Sequence, residues 1–135
     1  MALDIQQREH EGVTILDLKG RITVGPEAGA LRERVAALVA ASTKNLVLNL
    51  KNIDYIDSTG LGAVVMCATS MRKNQGNVRL LNLTKRNIEL LIMTKLATVF
   101  EIFNDEQDAV NSFFPDRKIK TFDILDFVQQ MKKED

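Results

Sequence analysis

Cysteine and histidine are almost absent from this sequence of 135 residues. Cys67 is the single cysteine and His10 is the single histidine. A lone cysteine cannot close an intramolecular disulfide, and the pair cannot supply the ligand set of a zinc site. We therefore expect no metal site and no cofactor. Because Cys67 lies in an apolar run, we expect it to be a reduced core residue.

The chain also has no excess of charge of either sign and few aromatic residues. Aromatic residues make up 5% of the chain, and 18 basic residues balance 18 acidic residues to a formal net charge of zero. Nucleic-acid binding proteins present a basic surface, and those that bind single strands also stack bases on aromatic rings. The composition therefore argues against a nucleic-acid partner.

Long apolar runs are also missing. The longest apolar stretch, residues 61–68, is far shorter than the roughly 20 residues that a membrane-spanning helix needs. The start of the chain lacks the basic region and the apolar segment of a secretory signal. The sequence thus predicts a soluble, cytoplasmic protein with no membrane partner.

The chain does contain enough apolar material for one folded domain. Hydrophobic residues make up 45% of it and charged residues 27%. A chain of this length fits one compact domain and leaves little room for a second. We expect it to fold without disulfides or metals.

The apolar pattern predicts strands that alternate with helices. Residues 3–6 and 13–18 alternate as in an antiparallel hairpin, and a helix is predicted after the break at Gly25-Pro26. Further along, the pattern predicts strands at 46–50, 78–83 and 99–103, and helices at 61–73, 87–95 and 106–113. This order is typical of an α/β layer fold with a mixed sheet.

The segment after Pro115 has a different character. Residues 116–120 are charged, and Phe122, Leu125, Phe127 and Met131 follow with partly helical spacing. Such spacing predicts an amphipathic helix. Its apolar face either packs on the domain or serves as a docking element, and the pattern alone leaves both interpretations open.

One segment, residues 54–62, carries residues suited to regulation. Ser58 falls where a strand ends and a helix begins, and we predict it to be the N-cap of that helix. A phosphate on Ser58 would face the positive end of the helix dipole. It would also add about −1.5 to −2 charge beside Asp57, which would repel a partner fitted to the neutral serine. Gly60 and Gly62 would leave the first turn bare for a partner's backbone.

Other interpretations of this serine are weaker but open. A serine at such a junction can be a helix cap and nothing more. A hydrolase would need a general base near it, yet His10 lies at the end of the first predicted strand, and the chain has no Gly-x-Ser-x-Gly elbow. We therefore expect no catalytic residue and no enzyme activity. Thr59 is a minor candidate for phosphorylation, since its place inside the helix start leaves its hydroxyl less free.

The same segment resembles the signature of a known family. The pattern Asp-x-x-Asp-Ser-[Ser/Thr]-Gly-[Leu/Ile/Val]-Gly after an apolar strand is similar to that of the STAS domain (sulphate transporter and anti-sigma factor antagonist), in its bacterial anti-sigma factor antagonist branch. The residues that match are Asp54, Asp57, Ser58, Thr59, Gly60, Leu61 and Gly62. The resemblance implies a STAS-like α/β fold with a mixed four- to five-stranded sheet flanked by about four helices. It implies a STAS domain over residues 1–114, followed by a C-terminal extension at 115–135 that we predict to be helical.

The resemblance also implies a mechanism and partners. In the family, the unphosphorylated antagonist binds an anti-sigma factor that is also a serine kinase, and the sigma factor is freed. The kinase phosphorylates the serine that matches Ser58, the complex separates, and a metal-dependent PPM-type serine phosphatase restores the active form. In this chain Ser58 would be the phosphorylated residue. Asp54, Asp57, Thr59 and the turn at residues 60–62 would belong to the partner-binding surface.

One position departs from the family pattern. Many antagonists end the second strand with Gly-x-[Leu/Ile]-Asp, whose aspartate lies near the phosphoserine, and this chain has Thr23 at that place. We include Thr23 in the expected partner-binding surface and expect a divergent kinase. An alternative function is a STAS module that scaffolds a signalling or transport complex without a phosphate switch. Exposed apolar residues near the C-terminus suggest a homodimer.

Overall fold

The computed structural model describes residues 3–134, and predictions that fall on residues 1, 2 and 135 lie outside them. Its elements are β1 (Leu3–His10), β2 (Val13–Ile22), α1 (Pro26–Ala40), β3 (Asn45–Ile56), α2 (Ser58–Lys73), β4 (Asn77–Leu81), α3 (Lys85–Met93), β5 (Glu101–Phe103), α4 (Glu106–Asn111) and α5 (Ile124–Glu134). Within the described part of the chain, no helix is long and apolar enough to span a bilayer.

The strands form one mixed sheet in the order β1-β2-β3-β4-β5. β1 and β2 form the predicted antiparallel hairpin, with Leu3 opposite Gly20 and His10 opposite Val13. The strands from β2 to β5 run parallel to one another. A helix connects each parallel strand to the next, because parallel pairing requires a long crossover. The predicted α/β fold with a mixed sheet is confirmed.

The sheet separates two apolar cores. α1, α2 and α3 contribute Leu31, Val64 and Leu91 to the larger core. α4 contributes Ala109 and Val110 to the smaller core. The two cores therefore cover the two faces of the sheet.

The central strand β3 shows why both faces of the sheet are covered. Leu46, Leu48 and Leu50 enter the larger core, and Val47, which points the opposite way, enters the smaller one. Each of these side chains is at most 1% exposed. Full burial of one such side chain stabilises the fold by about 1.5–3 kcal/mol. The nearly continuous apolar run in the sequence is therefore the pattern of a strand buried on two sides.

Cys67 lies on α2 with its side chain in the larger core, where the sequence predicted it. Burial raises the pKa of the Cys67 thiol to about 12. A thiol with so high a pKa stays protonated at neutral pH and is a poor nucleophile.

Three strands are longer than the apolar pattern predicted. β1 continues to His10, β2 to Ile22 and β3 to Ile56. Backbone pairing between β2 and its two neighbours continues through these extensions, most of whose residues are exposed and show no apolar alternation. The pattern therefore marked the part of each strand with continuous apolar alternation and missed the mostly exposed extensions.

The elements around β5 also differ from the prediction. β5 begins only at Glu101, because Val99 lies in a turn and donates its N–H to the carbonyl of Leu96 at 3.0 Å. α3 begins two residues earlier than predicted, at Lys85, with Thr84 as its N-cap. These boundaries depend on local hydrogen bonds that apolar spacing does not report.

The C-terminal segment packs on the domain. The N–H of Phe122 donates to the carbonyl of Ile102 in β5 at 2.9 Å. Phe122, Ile124 and Phe127 pack against the larger core, whereas Leu125 on the opposite side of α5 is 63% exposed. An open edge strand tends to pair with other chains. The segment covers part of that edge at β5.

Candidate functional site

The residues of the predicted site lie where two parallel strands end side by side. Ile22, the last residue of β2, pairs with Ile56, the last residue of β3. The carboxyl ends of neighbouring parallel strands are the usual place for a functional site in an α/β sheet. The chain leaves this edge through Thr23 on one strand and through Asp57 and Ser58 on the other.

Asp57 joins the two strand ends and starts α2. One carboxylate oxygen accepts the N–H of Gly60 at 2.7 Å, and the other accepts the N–H of Val24 at 2.9 Å. The N–H of Asp57 donates to the carbonyl of Ile22 at 3.3 Å. These N–H donors, Gly60 first and Val24 second, lower the pKa of the Asp57 carboxyl. Asp57 is therefore an ionised clamp between the loop after β2 and the first turn of α2.

Ser58 is not the N-cap of α2, contrary to the prediction. Asp57 takes that role, with extended backbone angles and its side chain on the N–H of Gly60, and Ser58 is the first residue of the helix. Aspartate and serine are both good caps, so their order at the junction decides which one acts. The consequence for Ser58 is an exposed hydroxyl that makes no hydrogen bond to another residue within 3–134.

Gly60 has a structural role that the sequence interpretation missed. A Cβ atom at residue 60 would lie 1.8 Å from the carbonyl oxygen of Ile22. Gly60 is thus buried against β2. The prediction that it leaves a bare surface for a partner's backbone is wrong for this residue. Gly62, in contrast, is exposed, and a Cβ atom there would meet nothing within 4 Å.

The other predicted residues are distributed unequally around Ser58. Thr59 is exposed in the same turn, whereas Leu61 is 7% exposed and belongs to the larger core. The carbonyl of Thr23 accepts the N–H of Ala28 at 3.1 Å, which fixes the loop beside Asp57.

Asp54 is the one predicted residue that the structure sets apart from this group. Asp54 is exposed on β3 and lines a shallow depression with Asp4, Lys19 and Lys51. Ser58 does not line that depression. Asp54 therefore lies outside the group of residues that surrounds Ser58.

Sequence analysis missed the residues on the other side of Ser58. A cavity of about 280 Å³ lies between the end of β3 and α3. Ser58, Tyr55, Arg86, Leu90 and Met93 are among its lining residues. α3 comes much later in the chain, and no motif in it indicates a site. Only the packing of α3 on β3 brings these residues to Ser58.

A buried amide fixes α3 in this position. Asn87 is 1% exposed, and its Nδ2 donates to the carbonyl of Ile53 in β3 at 3.0 Å. Its backbone N–H donates to the hydroxyl of Thr84, the N-cap of α3, at 3.2 Å. Because buried polar groups are costly when unpaired, this pair specifies how α3 sits on the strand.

The single histidine lies far from Ser58. His10 is at the start of the hairpin turn that precedes β2, and Ser58 is beyond the other end of β2. A strand of that length spans roughly 30 Å, at about 3.3 Å per residue. Nδ1 of His10 instead contacts Oε2 of Glu106 in α4 at 2.5 Å. His10 is therefore not placed to act as a base for Ser58.

The fold and the site together define a small α/β domain that presents an exposed serine at the start of a helix. The sequence profile of the STAS domain family matches residues 4–109. That match covers well over half of the chain, and the protein belongs to the STAS domain family.

Curated relatives resemble the chain over most of their own length. The Anti-sigma-B factor antagonist of Bacillus subtilis is 32% identical over 102 residues, which are 76% of this chain and 92% of that protein. The Anti-sigma-F factor antagonist RsfB of Mycobacterium tuberculosis is 28% identical over 120 residues, covering 86% and 96%. A crystal structure of an anti-sigma factor antagonist from Mycobacterium paratuberculosis shares the fold, with a TM-score of 0.70 at 22% identity over 82% of this chain and 92% of that one.

Proposed function

We propose that the protein is an anti-sigma factor antagonist that works by partner switching at Ser58. With Ser58 unphosphorylated, it binds an anti-sigma factor that is also a serine kinase. With Ser58 phosphorylated, it releases that partner, and a PPM-type serine phosphatase resets it. The protein is then a ligand and a substrate, not an enzyme, and it acts in the cytoplasm, where transcription is controlled.

The observation that carries this proposal is the free hydroxyl of Ser58. Because Asp57 is the helix cap, a kinase can modify Ser58 without removing a hydrogen bond that holds the fold. As the first residue of α2, Ser58 would carry its phosphate beside the positive end of the helix dipole. The domain can therefore accept the modification without melting.

The surface around Ser58 suits a partner that leaves when charge is added. Val24 is 66% exposed, Met93 80% and Tyr55 38%. Tyr55 and Met93 line the same cavity as Ser58, and the backbone of Val24 is hydrogen-bonded to Asp57 beside it. Exposed apolar side chains around one position are typical of interaction sites. A phosphate among them would lose its water on binding and would add to the charge of Asp57, so it would weaken the complex.

The test measures the affinity of a purified anti-sigma factor kinase from the same host for four forms of this protein. We expect wild type and Ser58→Ala to bind alike. We expect Ser58→Asp to bind at least about tenfold more weakly, since a like charge in an interface costs several kcal/mol. Ser70→Ala, further along α2, is the matched control and should bind as wild type does. Equal affinity of Ser58→Asp and wild type would refute the proposal.

A second candidate is a scaffold module that does not switch, and the observation that favours it is the C-terminal segment. α5 keeps Leu125 exposed while its other side is packed, so it could present an apolar contact to a complex or to a second copy of the chain. Removal of residues 115–135 would then abolish binding, and Ser58→Asp would leave it intact. Sedimentation of both forms would show whether a homodimer depends on the same segment.

A further inference from the structure

We propose that Arg86 holds the phosphate of phosphorylated Ser58, so that the cavity between β3 and α3 is a phosphate-monoester site belonging to the modified state. The inference deepens the proposed function and rests on it in one respect, namely that Ser58 carries a phosphate. It concerns α3, which lies outside the motif that drew attention to Ser58.

The residue to be modified and a cation line the same open cavity. Ser58 and Tyr55 line it from the side of β3 and α2, and Arg86 lines it from the first turn of α3. The cavity measures about 280 Å³ and opens to solvent at its rim, where Met93 is exposed. A phosphate on Ser58 can therefore turn into the cavity without displacing the core.

Arg86 is held in a way that leaves its hydrogen-bond donors available. The centre of its guanidinium lies over the ring of Tyr55, 4.8 Å from the ring centroid. Among residues 3–134, no carboxylate forms an ion pair with Arg86. A ring contact of this kind uses none of the guanidinium N–H groups as hydrogen-bond donors, and the planar fork of an arginine can bind two phosphate oxygens at once.

The acidic groups of the cavity do not satisfy Arg86. Asp57 lines the same cavity, but its two oxygens already accept the N–H groups of Gly60 and Val24. Glu89 follows Arg86 by three residues on α3 and is the only other carboxylate among the lining residues that the structure describes. Glu89 forms no ion pair with Arg86, so a phosphate with about −1.5 to −2 charge and three acceptor oxygens would supply the anionic partner that neither carboxylate provides.

A phosphate bound by Arg86 would change the surface that the protein presents to a partner. The cavity is open in the unmodified protein and filled in the phosphorylated one, so a side chain that enters it from a partner would be displaced. The phosphate would also be less accessible to a phosphatase than a freely exposed one. Arg86 would therefore affect both the release of the partner and the removal of the phosphate.

The experiment uses the full chain with phosphoserine incorporated at position 58 during translation, so that no kinase is required. The phosphorus NMR signal is followed against pH in the wild-type background, in Arg86→Gln and in Arg72→Gln. Arg72 is an exposed arginine in the last turn of α2, roughly 20 Å from Ser58 at 1.5 Å per residue, and its change removes the same charge. Circular dichroism confirms that each variant is folded.

We expect Arg86→Gln to raise the titration midpoint of the phosphate by roughly half a pH unit, because a nearby cation favours the dianion. Arg72→Gln should leave the midpoint unchanged. Arg86→Lys should give an intermediate value, since it keeps the charge and loses the planar fork. In the wild-type background, phosphorylation should also shift the methyl signal of Met93, and Arg86→Gln should reduce that shift.

Identical midpoints for Arg86→Gln and Arg72→Gln would overturn the inference. That failure is distinguishable from failure of the proposed function. If the midpoints coincide but Ser58→Asp still weakens the binding of the anti-sigma factor kinase, only the role of Arg86 is wrong. If the midpoint depends on Arg86 but Ser58→Asp binds as wild type does, the phosphate site stands and the switch is wrong.

Discussion

The carbonyl oxygen of Ile22 lies 1.8 Å from the position that a Cβ atom on Gly60 would take, and the carbonyl carbon lies 2.6 Å from it. Both atoms belong to the backbone of β2, so neither can rotate away from an added methyl group. The absence of a side chain at Gly60 therefore allows the first turn of α2 to rest against the end of β2. Together with the hydrogen bonds of Asp57, this contact fixes the position of Ser58.

Substitution of Gly60 by alanine should destabilise the protein strongly. Because the clash is with backbone, we expect Gly60→Ala to lower the free energy of unfolding by roughly 3 kcal/mol, at the upper end of the usual cost of overpacking. Gly62→Ala is the matched control. An added methyl group there meets nothing within 4 Å, and alanine is the better helix former by up to about 1 kcal/mol. Urea denaturation of both variants at pH 7 tests the contrast, and equal midpoints would contradict it.

Removal of the Asp57 carboxylate should lower the urea midpoint in a way that depends on pH. The N–H of Gly60, and then that of Val24, lower the pKa of Asp57 in the folded state. Its contribution to stability is therefore present above the unfolded pKa of about 3.9 and is lost as the pH falls through the folded pKa. We expect Asp57→Ala to unfold at lower urea than wild type at pH 7, and we expect the difference to narrow below about pH 4.

Asp54→Ala controls for the loss of one acidic charge near the same strand end. Asp54 is exposed and caps no helix, so its removal should leave the midpoint close to that of wild type. The same drop for both variants would show that charge, and not the cap, explains the result.

The contact between His10 and Glu106 should make stability fall at alkaline pH. The hydrogen bond to Glu106 is the main cause that raises the pKa of His10. A group with a raised folded pKa contributes fully below its unfolded pKa, about 6.5, and loses that contribution as the pH rises through the folded pKa. We expect a loss of roughly 0.5 kcal/mol between pH 5.5 and pH 8.5, because both side chains are partly solvated.

The ionisation of Glu106 sets how far this stabilisation extends toward acidic pH. Arg8 first, and His10 after it, lower the pKa of Glu106 to about 2. Its contribution is present above the unfolded value near 4.5 and is lost as the pH falls toward 2. In urea titrations, His10→Gln should remove the alkaline loss and keep the acidic one. If wild type and His10→Gln lose the same stability above pH 6.5, the ion pair has no part in it.

How much of the site could be predicted depends on whether its residues are close in the sequence. The motif placed Ser58 at a strand-to-helix junction correctly, but it could not decide between two adjacent capping residues. Which of the two residues is the N-cap depends on the backbone conformation just after β3. Asp57 has the extended conformation of an N-cap there, with φ −89° and ψ −179°. Arg86 and Tyr55 meet across a long stretch of chain, and their contact depends on how α3 packs, which no local pattern records.

The last prediction tests the residue that fixes α3, and hence the cavity beside Ser58. Asn87→Ala leaves the carbonyl of Ile53 buried without its donor, so we expect the free energy of unfolding to fall by about 1–3 kcal/mol. Asn74→Ala is the matched control, because Asn74 is exposed and donates to the carbonyl of Ser70 at the end of α2, and such a change usually costs less than about 0.5 kcal/mol. Urea denaturation gives both values. Because α3 carries Arg86, Asn87→Ala should also weaken the contact between Arg86 and Tyr55, seen as a change in the ring signals of Tyr55. A variant that is as stable as Asn74→Ala, with unchanged ring signals, would show that α3 is held by its apolar side alone.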